Sequence, residues 1–122
     1  MKLRIQADSL RMRLTRPEVE QLRDRGAVES AIHFPGRILT YSVARAAGES
    51  KLNAQYSGDA IRVNLPAAAV EAWAGSDQVT LQASLDGGLQ ILVEKDFQCL
   101  HKNERDPEAY PNPAATADQP AR

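Results

Sequence analysis

Apolar and polar residues alternate along much of the chain, which is the pattern of half-buried β-strands. The opening segment KLRIQ places its leucine and isoleucine on one face, and the segment SLRMRL, which follows two residues later, repeats the alternation. The short polar stretch between the two segments predicts a hairpin turn. Two further alternating segments, AVESAIHF and RILTYSVA, are separated by Pro35 and Gly36. The first 46 residues therefore predict four strands.

A helix is predicted between the second and the third of these strands, because the apolar spacing changes there. In TRPEVEQLRDRG, Thr15 and Glu18 form the Thr-x-x-Glu capping box, in which each side chain satisfies a free amide at the helix start. Val19 and Leu22 supply the buried stripe, and Gly26 suits the left-handed backbone that often follows a last helical turn. The first half therefore has the order strand–strand–helix–strand–strand.

The second half of the chain repeats this order. A shift of 51 residues aligns SLRMRLTRPEVEQLRDRGAVESAIHF with AIRVNLPAAAVEAWAGSDQVTLQASL without a gap. The aligned pairs include Arg11 with Arg62, Val19 with Val70, and Leu22 with Trp73. We therefore expect one α+β domain over residues 1–97, duplicated from a unit at about residues 1–46 and again at 51–97. About eight strands and two short helices should form a pseudo-twofold, curved antiparallel sheet or a barrel-like sheet.

The segment after residue 97 has no counterpart in the first half. Four prolines interrupt it, and its closing stretch AATADQPAR has no large apolar residue to bury. We expect residues 98–113 to form an extension that packs on the domain, with Tyr110 as its anchor. Residues 114–122 are expected to be a disordered tail.

Composition limits the classes of function. The chain has 122 residues, 43% of them hydrophobic, and a formal net charge of −1, which argues against a dedicated nucleic-acid binder. Residues 1–50 carry nine Lys and Arg against six acids, whereas residues 51–122 carry six against ten. The single cysteine cannot form an internal disulfide, and the sequence shows neither a signal peptide nor an apolar run of membrane-spanning length. It therefore predicts a soluble cytoplasmic protein with no membrane partner and no cofactor.

Three arginines share the polar side of the first hairpin, where cross-strand neighbours lie close together: Arg4, Arg11 and Arg13. Arg62 is the repeat mate of Arg11 and faces the same way if the sheet curves. Convergent guanidinium groups bind phosphate or carboxylate ligands through paired hydrogen bonds. The alternative, which we favour, is an ordinary exposed strand face whose arginines discourage pairing at a sheet edge.

Glu94 and Asp96 fall on one face of the last strand, in the segment EKDF. Paired carboxylates perform acid–base chemistry or hold a hard cation when a cleft desolvates them. The favoured alternative is a salt-bridged rim that pairs these carboxylates with the arginines of the first half.

Cys99 and His101 carry metal-ligand chemistry, but zinc sites usually show two ligand pairs at defined spacing. A catalytic Cys–His pair needs an orienting third group as well. The favoured interpretation is a small buried thiol beside a surface imidazole. The sequence contains no phosphate-binding loop, dinucleotide fingerprint, zincin motif or nucleophile elbow, and we assign no catalytic residue.

The two ends of the chain, MKLRI…SLR.RLT..EV and VEKDFQCL…YPNP, resemble a family of short bacterial proteins known as a domain of unknown function. Because that family has no assigned activity, the resemblance implies neither a catalytic residue nor a cofactor. The leading hypothesis is a non-catalytic binding or interaction domain in the bacterial cytoplasm, whose partner is a small anionic ligand or another protein. The alternatives are an anion-handling protein or enzyme that uses the arginines, and a metal-binding protein through Cys99 and His101.

Overall fold

The computed structural model describes residues 1–97 and Tyr110, and this part of the chain forms eight strands and two helices. The first half comprises β1 (Lys2–Gln6), β2 (Ser9–Leu14), α1 (Arg16–Arg25), β3 (Ala27–Phe34) and β4 (Arg37–Ala46). The second half comprises β5 (Asn53–Ser57), β6 (Ala60–Pro66), α2 (Ala67–Ala74), β7 (Thr80–Ser84) and β8 (Gln90–Lys95). The predicted α+β class and the repeated order of elements are confirmed.

The strands form two four-stranded sheets that exchange hairpins between the two halves of the chain. Sheet 1 has the order β1-β2-β8-β7, and sheet 2 has the order β3-β4-β6-β5. Each sheet therefore contains one hairpin from each half, and exchanging the halves converts the order of one sheet into that of the other. This is the arrangement that a duplicated unit with pseudo-twofold symmetry would produce, while the duplication itself stays a prediction.

Neither sheet is closed, and each has a parallel pair at its centre. β2 runs parallel to β8, and β4 runs parallel to β6, whereas the hairpin pairs are antiparallel. Alternation along a strand shows which face is buried but not which strand lies beside it. Alternation therefore indicated the strands of the hairpins, but it could not predict that hairpins from different halves join in parallel.

The helices join the two sheets through one core. Each helix contacts strands of both sheets, and the two helices also contact each other. The fully buried side chains come from every one of these layers: Met12, Leu14, Leu22, Val43, Val63, Leu65, Val70, Trp73, Ile91 and Val93. Leu22 and Trp73, which the repeat alignment equates, both lie in this core. The burial of these apolar side chains stabilises the two open sheets.

The first helix begins with the predicted capping box. The backbone amide of Thr15 donates to Glu18 Oε1 at 2.9 Å, and the Glu18 amide donates back to Thr15 Oγ1 at 3.4 Å. Gly26 follows α1 with a positive φ of 93°, as the glycine stop requires. The second helix begins after Pro66 and has no side-chain cap.

The predicted extension and tail fall almost wholly outside the described residues. Cys99 and His101 lie outside them too. Tyr110 is described, and it is 97% exposed. The expectation that residues 98–113 pack on the domain stays a prediction. The boundaries proposed for the two repeats and for the extension stay predictions.

Candidate functional site

The outer face of sheet 1, the side turned away from the core, carries most of the candidate site residues. In β2, the alternation sends Met12 and Leu14 into the core and leaves Arg11 and Arg13 on the outer face. Lys2 of β1 lies opposite Arg13, and Arg4 lies opposite Arg11. We call these four cations, together with Glu94 of β8, the basic face.

The hairpin places like charges directly opposite each other twice. Lys2 pairs in register with Arg13, and Arg4 pairs in register with Arg11. Side chains opposite each other in an antiparallel pair lie about 5 Å apart at Cβ, and like charges at these positions destabilise the pair. Electrostatic repulsion between these side chains therefore destabilises the hairpin at two consecutive outward-facing pairs.

Glu94 offsets part of this repulsion. Its Oε1 atom lies 3.3 Å from Arg11 Nε and accepts a hydrogen bond from Arg13 Nε at 3.2 Å. Its Oε2 atom accepts a hydrogen bond from the Thr80 hydroxyl at 3.2 Å. These contacts cover the carboxylate, since the Glu94 side chain is only 16% exposed. A single negative charge is thus shared between two guanidinium groups.

Asp96, which follows β8, forms an ion pair with Lys2 of the basic face: Lys2 Nζ lies 3.1 Å from Asp96 Oδ2. Glu94 therefore pairs with arginines of the first half, as in the salt-bridged alternative, whereas Asp96 pairs with a lysine.

Arg4 has a different environment from the other three cations. Its row continues across the sheet through Arg11, Leu92 and Gln82, and contains no acidic residue. Within the part of the chain that the structure describes, Arg4 forms no ion pair. The four cations and the two carboxylates of this surface leave a net charge of +2, although the chain as a whole has a formal charge of −1. Such a surface attracts anions.

Arg62, the fourth predicted arginine, does not join this group. It lies on β6 in sheet 2, where it pairs in register with Gln55 and Ser42. Its Nε donates a hydrogen bond to Asn64 Oδ1 at 3.0 Å, and Asn64 in turn donates to Asn53 at 2.9 Å. The structure therefore brings together three of the four predicted arginines. Arg62 belongs to a hydrogen-bonded network on the other sheet that runs through Asn64 and Asn53 to the Glu49 carboxylate.

Lys2 and Thr80 are members of the site that were missed from the sequence alone. Lys2 could have been found, because it occupies the same alternating polar face of KLRIQ as Arg4. Thr80 had no such signal, because its place beside Glu94 depends on the pairing of β7 with β8.

A cleft of about 820 Å³ lies beside α1, where β8 ends. Leu14, Val19 and Phe97 contribute apolar surface to it, and Asp96 is the candidate site residue on its wall. Three of its charged groups have partners within the described residues: Arg16 lies 3.7 Å from Glu20, and Lys95 donates to the Ser76 carbonyl at 2.6 Å. The arginines of the basic face do not line this cleft, so the basic face and the cleft are separate features.

The metal hypothesis rests on Cys99 and His101, and it is not tested because both residues lie outside the described part of the chain. Among the described residues, no group of three or more His, Cys, Asp or Glu side chains is placed to hold a metal ion. A helix that is long and apolar enough to cross a membrane is likewise not found among them.

The fold and the site together define an α+β domain with two hairpin-exchanged sheets and a basic outer face on one of them. The chain belongs to the family of unknown function DUF7009, whose model matches residues 1–114. This confirms the expectation that the chain belongs to a family of unknown function. No curated protein and no solved structure matches the chain.

Proposed function

We propose that this protein is a non-catalytic binding domain whose basic face holds a ligand with phosphate or carboxylate groups. The observation that supports the proposal is that like charges lie opposite each other twice, Lys2 opposite Arg13 and Arg4 opposite Arg11. Arg11 and Arg13 share a single glutamate, Glu94. A sequence that breaks a local stability rule often does so for function. An anion placed between Arg4 and Arg11 would remove the repulsion.

The chemistry of the face suits oxyanions in particular. A guanidinium group has five N–H donors in a planar fork, and Glu94 engages Arg11 and Arg13 through Nε. Holding these side chains by one contact reduces the entropy that a ligand must remove from them when it binds. The face itself offers cations, one engaged carboxylate and one hydroxyl, which favours binding over bond-breaking chemistry.

The setting we propose is the cytoplasm of a bacterium. The single cysteine among 122 residues supports it, because small secreted domains commonly depend on disulfide bonds. The net charge of −1 supports a small anionic ligand in preference to nucleic acid.

The test is isothermal titration calorimetry of the full chain at low ionic strength, with inorganic tripolyphosphate as the phosphate probe and citrate as the carboxylate probe. The Arg4→Gln substitution is expected to weaken binding by about tenfold, as the loss of one charge-assisted hydrogen bond would. The matched control is Arg62→Gln, which removes an arginine from the same type of strand position on sheet 2 and should leave the affinity unchanged.

A second readout separates a functional cost from a structural role for Arg4. Without ligand, Arg4→Gln is expected to raise the melting temperature, because it removes one member of a like-charge pair. If neither probe binds the wild-type chain, or if Arg62→Gln weakens binding as much as Arg4→Gln does, the proposal is wrong.

A further inference from the structure

The outer edge of sheet 2 at β3 is the longest edge strand in the described part of the chain. β3 has eight residues, whereas the three other edge strands, β1, β5 and β7, have five each. Within the described residues, β3 pairs only with β4. Its second side therefore presents backbone N–H and C=O groups that another strand can use.

The two ends of β3 differ in how they are covered. At the start, Val28 is 3% exposed beneath α1, and Gln21 of that helix donates a hydrogen bond to the Ala27 carbonyl. At the far end, Ile32 is 41% exposed and Phe34 is 54% exposed, although both lie on the same face as Val28. The helix thus covers the first half of the strand and leaves the second half open.

The open half also lacks the residues that usually protect an edge. Natural edge strands carry charges, proline or bulges that discourage pairing with another chain. β1, the edge of sheet 1, carries Lys2 and Arg4. In β3, the five residues SAIHF at positions 30–34 contain neither a charged residue nor a proline. This stretch is therefore suited to strand pairing.

We propose that β3 of one molecule pairs antiparallel with β3 of a second copy of this chain, centred on Ile32. In this register Ile32 faces its own counterpart, Phe34 faces Ser30, and His33 faces Ala31. Directly opposite residues share a face in an antiparallel pair, so the exposed apolar side chains of both copies meet on one side. Sheet 2 of one copy and sheet 2 of the other copy then form one continuous eight-stranded sheet.

Self-pairing suits this edge because the twofold register sets no charged residues opposite one another within the open stretch. A twofold interface uses the same patch on both copies. Here every residue of the open stretch meets an uncharged residue, and Glu29 lies just beyond the paired region, beside the Pro35 position of the other copy. The surface belongs to sheet 2 and is independent of the basic face on sheet 1.

The test is sedimentation of the full chain from about 1 μM to about 1 mM, a range over which a weak dimer dissociates. The wild-type chain is expected to dimerise as its concentration rises. Ile32→Lys and Ile32→Glu should each raise the dimer dissociation constant by at least about tenfold, because each places like charges opposite one another. An equal mixture of the two variants should restore the dimer through opposite charges.

The matched control is Tyr56→Lys, which puts the same charge at an exposed apolar position on β5, the other edge of sheet 2. It should leave dimerisation unchanged, and far-UV circular dichroism would confirm that each variant is folded. A wild-type chain that stays monomeric throughout the range would overturn the proposal. A dimer that survives Ile32→Lys, or a mixture that does not re-associate, would do the same.

Discussion

The two sheets share one framework and differ in the chemistry of their outer faces. Arg11 of sheet 1 and Arg62 of sheet 2 occupy equivalent positions in the repeat, each on the strand that pairs in parallel with the other half of the chain. Around Arg11 are two further arginines, a lysine and a glutamate, whereas around Arg62 are amide and small side chains. Since sheet 2 has the same strand arrangement without a cluster of cations, the framework does not require the basic face.

The two helices show the same division between a shared framework and local chemistry. Each helix ends near a cation from the last strand of its own half. Arg45 of β4 donates to the Arg23 carbonyl at the end of α1, and Lys95 of β8 donates to the Ser76 carbonyl just after α2. A cation at a helix C-terminus is stabilising. The helix starts differ, because α1 has a capping box and α2 begins after Pro66 with no side-chain cap.

The largest expected difference between the halves lies in the core beneath the helices. Leu22 and Trp73 are repeat mates and both are fully buried, but Trp73 is larger and its indole N–H donates to the Val79 carbonyl at 2.9 Å. Trp73→Ala should lower the free energy of unfolding by about 4 kcal/mol, and Leu22→Ala by about 3 kcal/mol. Urea unfolding measures both losses. Far-UV circular dichroism is the signal to follow, because Trp73 is the only tryptophan and Trp73→Ala removes tryptophan fluorescence.

The control for this pair is Val79→Ala, which keeps the carbonyl acceptor and trims an exposed side chain, so the change should stay within about 0.5 kcal/mol. A larger loss for Leu22→Ala than for Trp73→Ala would show that the first half, rather than the second, holds the tighter part of the core.

Most of the local structure could be predicted from the sequence, because it depends on neighbouring residues. Alternation located the strands of both hairpins in the first half, and Thr15 with Glu18 marked the start of α1. The second helix has no such cap, and it was found because its apolar residues align with those of α1. Spacing and capping are properties of a few consecutive residues, so a single sequence reveals them.

The composition of the candidate site could be predicted only in part. The contact between Arg13 and Glu94 joins residues 81 positions apart, and it exists because β2 and β8 pair in parallel. Strand partners at that separation are not encoded in alternation. The expectation that Arg62 could join Arg11 overlooked a consequence of the predicted symmetry. When the halves exchange hairpins, equivalent residues lie on different sheets.

The second prediction compares the outer faces through their glutamates. Glu94→Gln removes the one carboxylate that Arg11 and Arg13 share, and should lower the free energy of unfolding by about 1.5 kcal/mol at low salt. Glu29→Gln on the outer face of sheet 2 should change it by no more than about 0.5 kcal/mol. Chemical denaturation of both variants against the wild-type chain gives the comparison.

Salt sharpens this comparison, because it screens exposed charges. Repeating the measurement in about 1 M salt should reduce the cost of Glu94→Gln, since the repulsion among the cations is weaker there. A cost that does not depend on salt would mean that Glu94 acts through its hydrogen bond with Thr80 and not through its charge.

The smallest expected effect concerns the helix starts and depends on pH. Partial burial raises the pKa of Glu18, but hydrogen bonds from the Met1 amino group and from Thr15 together outweigh it, so the pKa lies below its ordinary value of 4.5. A carboxyl group whose pKa is lowered by folding stabilises the fold above its unfolded pKa, and this contribution is lost as the pH falls through the folded pKa. The wild-type chain should therefore lose about 0.5 kcal/mol of unfolding free energy below pH 4.5 that Glu18→Gln does not lose.

Urea midpoints measured across this range test the prediction, with Glu20→Gln on the same helix as the control. If the wild-type and Glu18→Gln curves run parallel, the ionisation of Glu18 does not contribute to the stability of the start of α1, and the prediction is wrong.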